Sequence, residues 1–334
     1  MQGIDAKRGR VPQRKCTKVR VGDGCPNAVC KELSNLSASA HLSDVKPREI
    51  ELWSNRWLIH PLSRRLAIAL IPTPVTPNAV SCMGVAASAA AAACYYALPW
   101  PGSVAAGFLC QIGWHVLDGA DGELARRTGR SSPSGEVVDG VCDYLSQVVL
   151  YGVLALILTS TLHGWAWALA LASGAARAAQ ANSYESRRRI YQFWGYGRGW
   201  IKQSLAADAG AAPRGWLAAL GRAYLAVSER VTRSRPELEA MLQKRFADGP
   251  AAEAQARDLY RSVQVRAIKA AAPLSANART FAIGLSMLAG TPLYFFIYES
   301  VGLSLVLLWS LGVQARADVA LREALTSRNR EGMR

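Results

Sequence analysis

The chain has 334 residues, 51% of them hydrophobic, and 39 Lys and Arg against 24 Asp and Glu give a formal net charge of +15. That length would suit one or two soluble domains, but the apolar residues are gathered into charge-free runs long enough to span a bilayer. The basic residues flank those runs, a placement that fits anionic headgroups and topological anchoring rather than nucleic acid.

In chain order, residues 1–45 are basic and rich in Gly and Ser, and read as a disordered arm. Residues 1–46 hold no apolar core of the length a secretory signal needs. Residues 46–72 change character. Leu52, Trp53, Trp57, Leu58, Leu62, Leu66 and Leu70 recur at helical spacing opposite Arg48, Arg56, Arg64 and Arg65. This predicts an amphipathic helix in the headgroup layer, kinked or divided at Pro61. Pro72, Pro74 and Pro77 reset the chain, and Thr76-Pro-Asn78 opens the first span.

Charge-free stretches from Val75 to the first aspartate, from Tyr144 to Ala176 and from Thr280 to Tyr298 give the membrane-spanning elements. The break at Pro99-Trp-Pro-Gly102 divides the first of them. The expected fold is all-α and integral to the membrane, with six spans near 77–98, 103–125, 138–160, 164–184, 280–298 and 301–316. Residues 73–184 carry spans one to four, 185–279 form a basic cytoplasmic helical insertion, 280–317 carry spans five and six, and 318–334 form a tail. Within the insertion, Trp216–Val231 and Glu237–Lys269 read as amphipathic or solvated helices, with breaks at Arg235-Pro236 and Asp248-Gly-Pro250. The turns at Pro99–Ser103, Ser160–Gly164 and Tyr298–Gly302 contain no Lys or Arg. This predicts both termini and the aspartates on the cytoplasmic side. The run Ala86–Ala93 lets neighbouring helices approach closely.

Between the first spans stands the block Asp118-x2-Asp121-Gly122-x2-Ala125-Arg126-x8-Gly135-x3-Asp139-x3-Asp143. Carboxylates beside hydrocarbon cost several kcal/mol each, about 3 on insertion scales, unless something compensates them. Asp118 and Asp121 share one helix face with Gly122 and Ala125, and Asp139 and Asp143 share a face of the next helix behind Gly135. If Arg126–Ser134 turns the chain back, four carboxylates meet at one point. An all-oxygen ligand set without His or Cys selects Mg²⁺, Mn²⁺ or Ca²⁺ over zinc, and two such ions clamp a phosphoryl group. Arg126 can hold a diphosphate by paired hydrogen bonds. The site reads as one that moves a phosphate-containing group from a diphosphate to a membrane-delivered acceptor.

The block matches, at every defined position, the signature of the CDP-alcohol phosphotransferase (CDP-alcohol phosphatidyltransferase) family, which the chain resembles over about 46–184. The resemblance implies a six-helix transferase of phospholipid biosynthesis that cleaves a CDP-linked donor, releases CMP and joins the remaining phosphate to an alcohol. It implies Asp118, Asp121, Asp139 and Asp143 as metal ligands for two Mg²⁺ or Mn²⁺ ions, with Asp143 also the catalytic base. Gly122, Ala125, Arg126 and Gly135 would line the CDP pocket, and a homodimer is implied as well.

Ala125–Glu136 looks like eukaryotic choline and ethanolamine phosphotransferases, which use a soluble CDP-alcohol and a lipid hydroxyl. Leu117–Arg126 is also similar to prokaryotic enzymes using CDP-inositol. The favoured reading is a soluble CDP-alcohol donor and a lipid acceptor. The alternative is phosphatidyl transfer from CDP-diacylglycerol to a small polar alcohol. A membrane prenyltransferase and a cation transporter or inactive scaffold are the readings from other classes.

Other side chains are read more plainly. His115 is a satisfied core histidine rather than a ligand. Arg177 either snorkels to the interface or lines the acceptor cavity. Arg187-Arg-Arg189 sets topology, and the tryptophans at 165, 167, 194 and 200 form an interfacial belt. Of the seven cysteines, Cys82, Cys94, Cys110 and Cys142 pack as small hydrophobes, while Cys16, Cys25 and Cys30 lack zinc-site spacing.

Overall fold

The computed structural model describes residues 47–97, 101–197 and 235–331, and these are helical with no strand among them. The amino-terminal arm with its three cysteines, Trp200 and the Trp216–Val231 stretch lie outside the described residues.

A π-helical turn (Asn55–Ile59) runs directly into α1 (His60–Leu70). Pro61 therefore neither divides the helix nor ends it. The backbone changes its hydrogen-bond spacing just before the ring that cannot donate. Trp53 and Trp57 are 67% and 72% exposed, whereas Ser63 and Ala67 are buried, so the element has one packed face. The Arg56 guanidinium lies over the Trp57 ring at 5.3 Å.

Thr76 caps α2 (Pro77–Ala97): its hydroxyl accepts from Ala79 N at 3.3 Å, and Pro77 occupies the first helical position. The small-residue run then does what its composition predicts. Ala91 and Ala92 are fully buried, and Ser88 Oγ donates to Ser146 O at 2.9 Å. Through this seam α2 packs closely along both α3 (Gly102–Thr128) and α4 (Pro133–Leu162), while α3 and α4 scarcely touch each other.

The reversal between α3 and α4 is set by local chemistry. Gly129 adopts φ +67°, a left-handed conformation that stops α3, and Arg130 N donates back to Ala125 O at 2.9 Å. Ser132 then caps α4, accepting from Gly135 N at 3.1 Å, with Pro133 at the first position.

Helix α5 (Trp165–Tyr196) continues well past residue 184, where the fourth span was expected to give way to the insertion. Helices α6 (Pro236–Ala247) and α7 (Pro250–Ala270) follow, divided at Asp248-Gly249-Pro250 as predicted. Next come α8 (Ala276–Leu288), α9 (Leu293–Ile297), a π-helical turn (Tyr298–Gly302) and α10 (Leu303–Glu331).

Here the structure corrects the sequence reading. Tyr298–Gly302 is not an outer turn but part of a continuous helical course from Leu293 to Glu331. The chain reverses instead at Ala289–Pro292, where Gly290 takes φ +83° and Pro292 starts the next helix. The reason is Glu299: it is fully buried and bonded inside the bundle, so its backbone cannot swing out as a loop. The thirteen-residue α8 is consequently about 20 Å long, short against a hydrocarbon core of about 30 Å. Residues 318–331, expected as a tail, are the last turns of α10.

Among the described residues, three helices are long and apolar enough to cross a membrane: Pro77–Tyr96, Val137–Leu162 and Leu293–Ser327. Leu109, Val148, Leu156, Leu171, Leu285, Leu305 and Leu308 are exposed on the bundle surface, an apolar exterior that suits lipid. Trp165 and Trp167 are exposed as the belt reading requires. Trp194 is not: it is 6% exposed and packs edge-on with Phe193 and against Phe246. Arg187 is likewise buried, donating to Ser183 Oγ at 2.7 Å and Ser310 Oγ at 3.1 Å, so it bolts α5 to α10. Arg188 and Arg189 remain outside, paired with Glu185.

A second layer forms where α6, α7, the end of α5 and the end of α10 meet, around Tyr191, Trp194, Leu238, Leu242, Tyr260, Leu321 and Leu325. Glu49 clamps the amino-terminal segment to it, accepting from Tyr191 Oη at 2.9 Å and from Tyr196 Oη. Burial alone would raise the Glu49 pKa, but these bonds and the charge of Arg261 outweigh it and hold the carboxyl below its usual range. A carboxyl depressed on folding contributes stability above its unfolded pKa and loses it as pH falls through the folded value. Glu49→Gln should therefore unfold earlier than the unsubstituted chain at pH 7, with the gap closing below about pH 4. Thermal scans at both pH values check this.

Candidate active site

The two signature helices bring their carboxylates together. One oxygen from each of Asp118, Asp139 and Asp143 lies within 4.8 Å of the others. Asp121 stands beside them, buried, within hydrogen-bond reach of Asp139, and receives the Ser81 hydroxyl at 2.6 Å. Because α2 keeps α3 and α4 apart, the acidic side chains reach across a gap, and that gap is the cleft.

Such crowding of like charge in a partly dry site is unfavourable on its own. Three converging carboxylates with a fourth alongside, and no His or Cys among them, make a hard-oxygen donor set that fits a divalent cation. Ser81 was not foreseen from sequence. Its contact depends on α2 lying against α3, which no local pattern encodes.

The residues expected around a nucleotide lie at the same end of the cleft. Arg126 folds back over Gly122, its Nη1 3.3 Å from where a Cβ there would sit. Its Nη2 pairs with Glu123 at 3.0 Å, and Arg127 Nε reaches the same carboxylate at 2.7 Å, an arrangement the spacing alone did not suggest. Ala125 is half-buried on the same helix. Gly135 sits where a Cβ would come within 3.2 Å of Ser132 Oγ and 3.7 Å of Asn78 Oδ1. Its small size thus leaves room for the Ser132 cap of its own helix.

Gly119 is a further close approach within the block. A Cβ there would lie 2.6 Å from Ser63 Oγ and 3.1 Å from Ser63 Cβ, while Ser63 Oγ donates to Val116 O at 2.9 Å. Gly119 is what allows α1 to lie against α3. Gly119→Val should cost about 1–3 kcal/mol by overpacking this contact, read as a lower unfolding temperature in detergent. Gly113→Val, at a position with open space, is the control.

One to two turns farther along both helices, the bundle interior is polar. His115 is buried with Nε2 2.9 Å from Thr280 Oγ1, a satisfied core histidine as read. Arg177 does not snorkel. It is turned inward, with Nη1 3.5 Å from Tyr151 Oη and 3.9 Å from Glu299 Oε1, and its guanidinium lies 5.7 Å from the Tyr151 ring centroid. Glu299 is held by Arg279 Nε at 2.7 Å, by Ser173 Oγ at 2.9 Å and by Tyr151 Oη. Cys82, Cys94, Cys110 and Cys142 are free thiols.

The comparisons with known proteins agree with this geometry. The model of the family described as CDP-alcohol phosphatidyltransferase matches residues 74–224. Cholinephosphotransferase 1 of Xenopus laevis is 49% identical over 61 residues, 17% of this chain and 15% of that protein, so the chain spans well under a fifth of that relative. With the signature intact and its acids converging, the helices that carry them lie inside the stretch that is similar to the CDP-alcohol phosphatidyltransferase family.

Proposed function

We propose that this chain is an integral membrane phosphotransferase of phospholipid biosynthesis. It transfers the phospho-alcohol part of a soluble CDP-alcohol to a lipid hydroxyl and releases CMP. The observation that carries this reading is the convergence of Asp118, Asp139 and Asp143, with Asp121 beside them, in a cleft between two helices. The family match over residues 74–224 and the partial likeness to a cholinephosphotransferase support the choice of donor.

Asp118, Asp121, Asp139 and Asp143 would hold Mg²⁺ or Mn²⁺, and two such ions supply charge neutralisation for the diphosphate. Arg126 pairs with diphosphate oxygens, and the small residues Gly122, Ala125 and Gly135 leave room for the cytidine nucleotide near the backbone. Asp143 takes the proton of the acceptor hydroxyl, which is a poor nucleophile at neutral pH. The acceptor oxygen forms a new bond to the phosphorus bearing the alcohol. The bond from that phosphorus to the bridging oxygen breaks, and its electron pair leaves with CMP. Positioning and electrostatics do most of the work, as in other phosphoryl transfers. We further infer six spans, with this end of the bundle and both termini on the cytoplasmic side, since the connection at Ser160–Gly164 carries no Lys or Arg.

The test is CMP release by purified protein from a panel of labelled CDP-alcohols and CDP-diacylglycerol, each with total lipid extract and with small polar alcohols. CMP from a soluble CDP-alcohol, dependent on lipid and lost with a chelator, is the expected result. CMP from CDP-diacylglycerol with a polar alcohol would instead establish phosphatidyl transfer. An allylic diphosphate consumed without CMP would mean prenyl transfer.

A further inference from the structure

Farther along the same helices as the carboxylates lies a small cavity. Asp118, Trp114 and Gln111 follow one stripe of α3, and Asp143 and Gln147 follow one stripe of α4, so the cavity begins about one turn past the acids. Its lining includes Gln111, Gln147, Arg177, Arg279 and Thr280, and its free space of about 10 Å³ is room for about one water-sized group.

The polar groups around it are unevenly satisfied. Arg279 is engaged at each of its three nitrogens, by Glu299, by Gln180 Oε1 at 2.8 Å and by Leu274 O. Thr280 is bonded to His115. Gln111 is 2% exposed and turns its Oε1 to the Tyr95 hydroxyl at 3.3 Å, which leaves its buried Nε2 with no partner among the described residues. Arg177 spends Nη1 on Tyr151 and stands 3.9 Å from a carboxylate that Arg279 already neutralises. The unmet group is therefore an N–H donor, Gln111 Nε2, and an accepting oxygen in the cavity would satisfy it.

The available space selects among such oxygens. A phosphate, with four oxygens around one phosphorus, exceeds a volume of about one water-sized group, whereas one carbonyl oxygen fits. A lipid whose hydroxyl is at Asp143 carries its nearest ester about one helical turn away, the separation between Asp143 and the cavity mouth.

Resting on the lipid-acceptor reading above, we propose that Gln111 and Arg177 form a subsite for an ester carbonyl of the acceptor lipid. The subsite makes the protein prefer ester-linked over ether-linked lipid. Gln111 is the specificity-determining group. Arg177, fixed by Tyr151 and Glu299, positions and reinforces it.

The test uses full-length protein, the donor that gives CMP release, and two acceptors of equal chain length: 1,2-diacylglycerol and its 1,2-dialkyl ether analogue. The unsubstituted protein should favour the diacyl lipid in kcat/KM by about 10-fold or more, mainly through KM, as expected for one or two hydrogen bonds to a carbonyl. Gln111→Leu should shrink the ratio to within about 3-fold. A ratio near one in the unsubstituted protein overturns the subsite and leaves the phosphotransfer reading intact; this arm decides even if the variant does not fold. A large ratio unchanged in a folded Gln111→Leu protein also overturns it. Absence of CMP from every donor removes the functional reading and the subsite together.

Discussion

Asp143→Asn is expected to lower transfer by about 10²–10⁴-fold, the usual contribution of a positioned general base, without loss of folding. The amide keeps the shape of the side chain but cannot take the acceptor proton. Because three carboxylate oxygens lie within 4.8 Å of one another, removing one negative charge also relieves repulsion. The variant should therefore unfold at a temperature no lower than the unsubstituted protein when both are metal-free. Binding of CDP, measured by titration calorimetry in the presence of Mg²⁺, should persist, because Asp118, Asp121 and Asp139 remain. Transfer at the unsubstituted rate would remove Asp143 from the base role, and lost transfer with lost nucleotide binding would make it a ligand-site residue alone.

The second large effect concerns stability. Glu299 and Arg279 are both buried and joined at 2.7 Å, with Ser173 and Tyr151 completing the carboxylate's partners and Gln180 donating to Glu299 O at 2.9 Å. Glu299→Gln leaves a guanidinium buried without its counter-charge, and breaking such a pair typically costs about 3–5 kcal/mol. Replacing both partners by apolar residues, Arg279→Met with Glu299→Leu, should recover part of that loss, because the Arg279 charge is then gone and only Arg177, 3.9 Å from Glu299, lacks its acid. Thermal unfolding in detergent of the single and double variants gives the comparison. A single variant as stable as the original, or a double variant worse than the single, would show that the pair does not hold α8 to the following helices.

The order of difficulty in reading this chain follows from how local each signal is. The acidic site was legible because three- and four-residue spacings fix which side chains share a helix face, and because Gly129, Ser132 and Pro133 mark the reversal within a few residues. The start of α2 was legible for the same reason, with Thr76 and Pro77 adjacent. The turn expected at Tyr298–Gly302 is absent because Glu299 within it has partners on three other helical stretches, which no local pattern encodes. Trp194 departs for the same reason: composition places it at an interface, whereas Phe246 on α6 draws it inside. The burial of Arg187 against Ser310 on α10 is equally non-local. Arg177 reads two ways in the sequence because direction of entry depends on what faces it, here Tyr151 and Glu299.

The placement of α2 has a consequence for how this site is tuned. Since α2 lies between the two acid-bearing helices at an alanine-and-serine seam, it works as a shim whose thickness fixes the width of the slot. Bulkier or smaller side chains at positions such as Ala91 or Ser88 would widen or narrow the passage while leaving every acidic residue unchanged. The width of the slot is thus adjustable from a helix that contributes Ser81 but none of the four carboxylates.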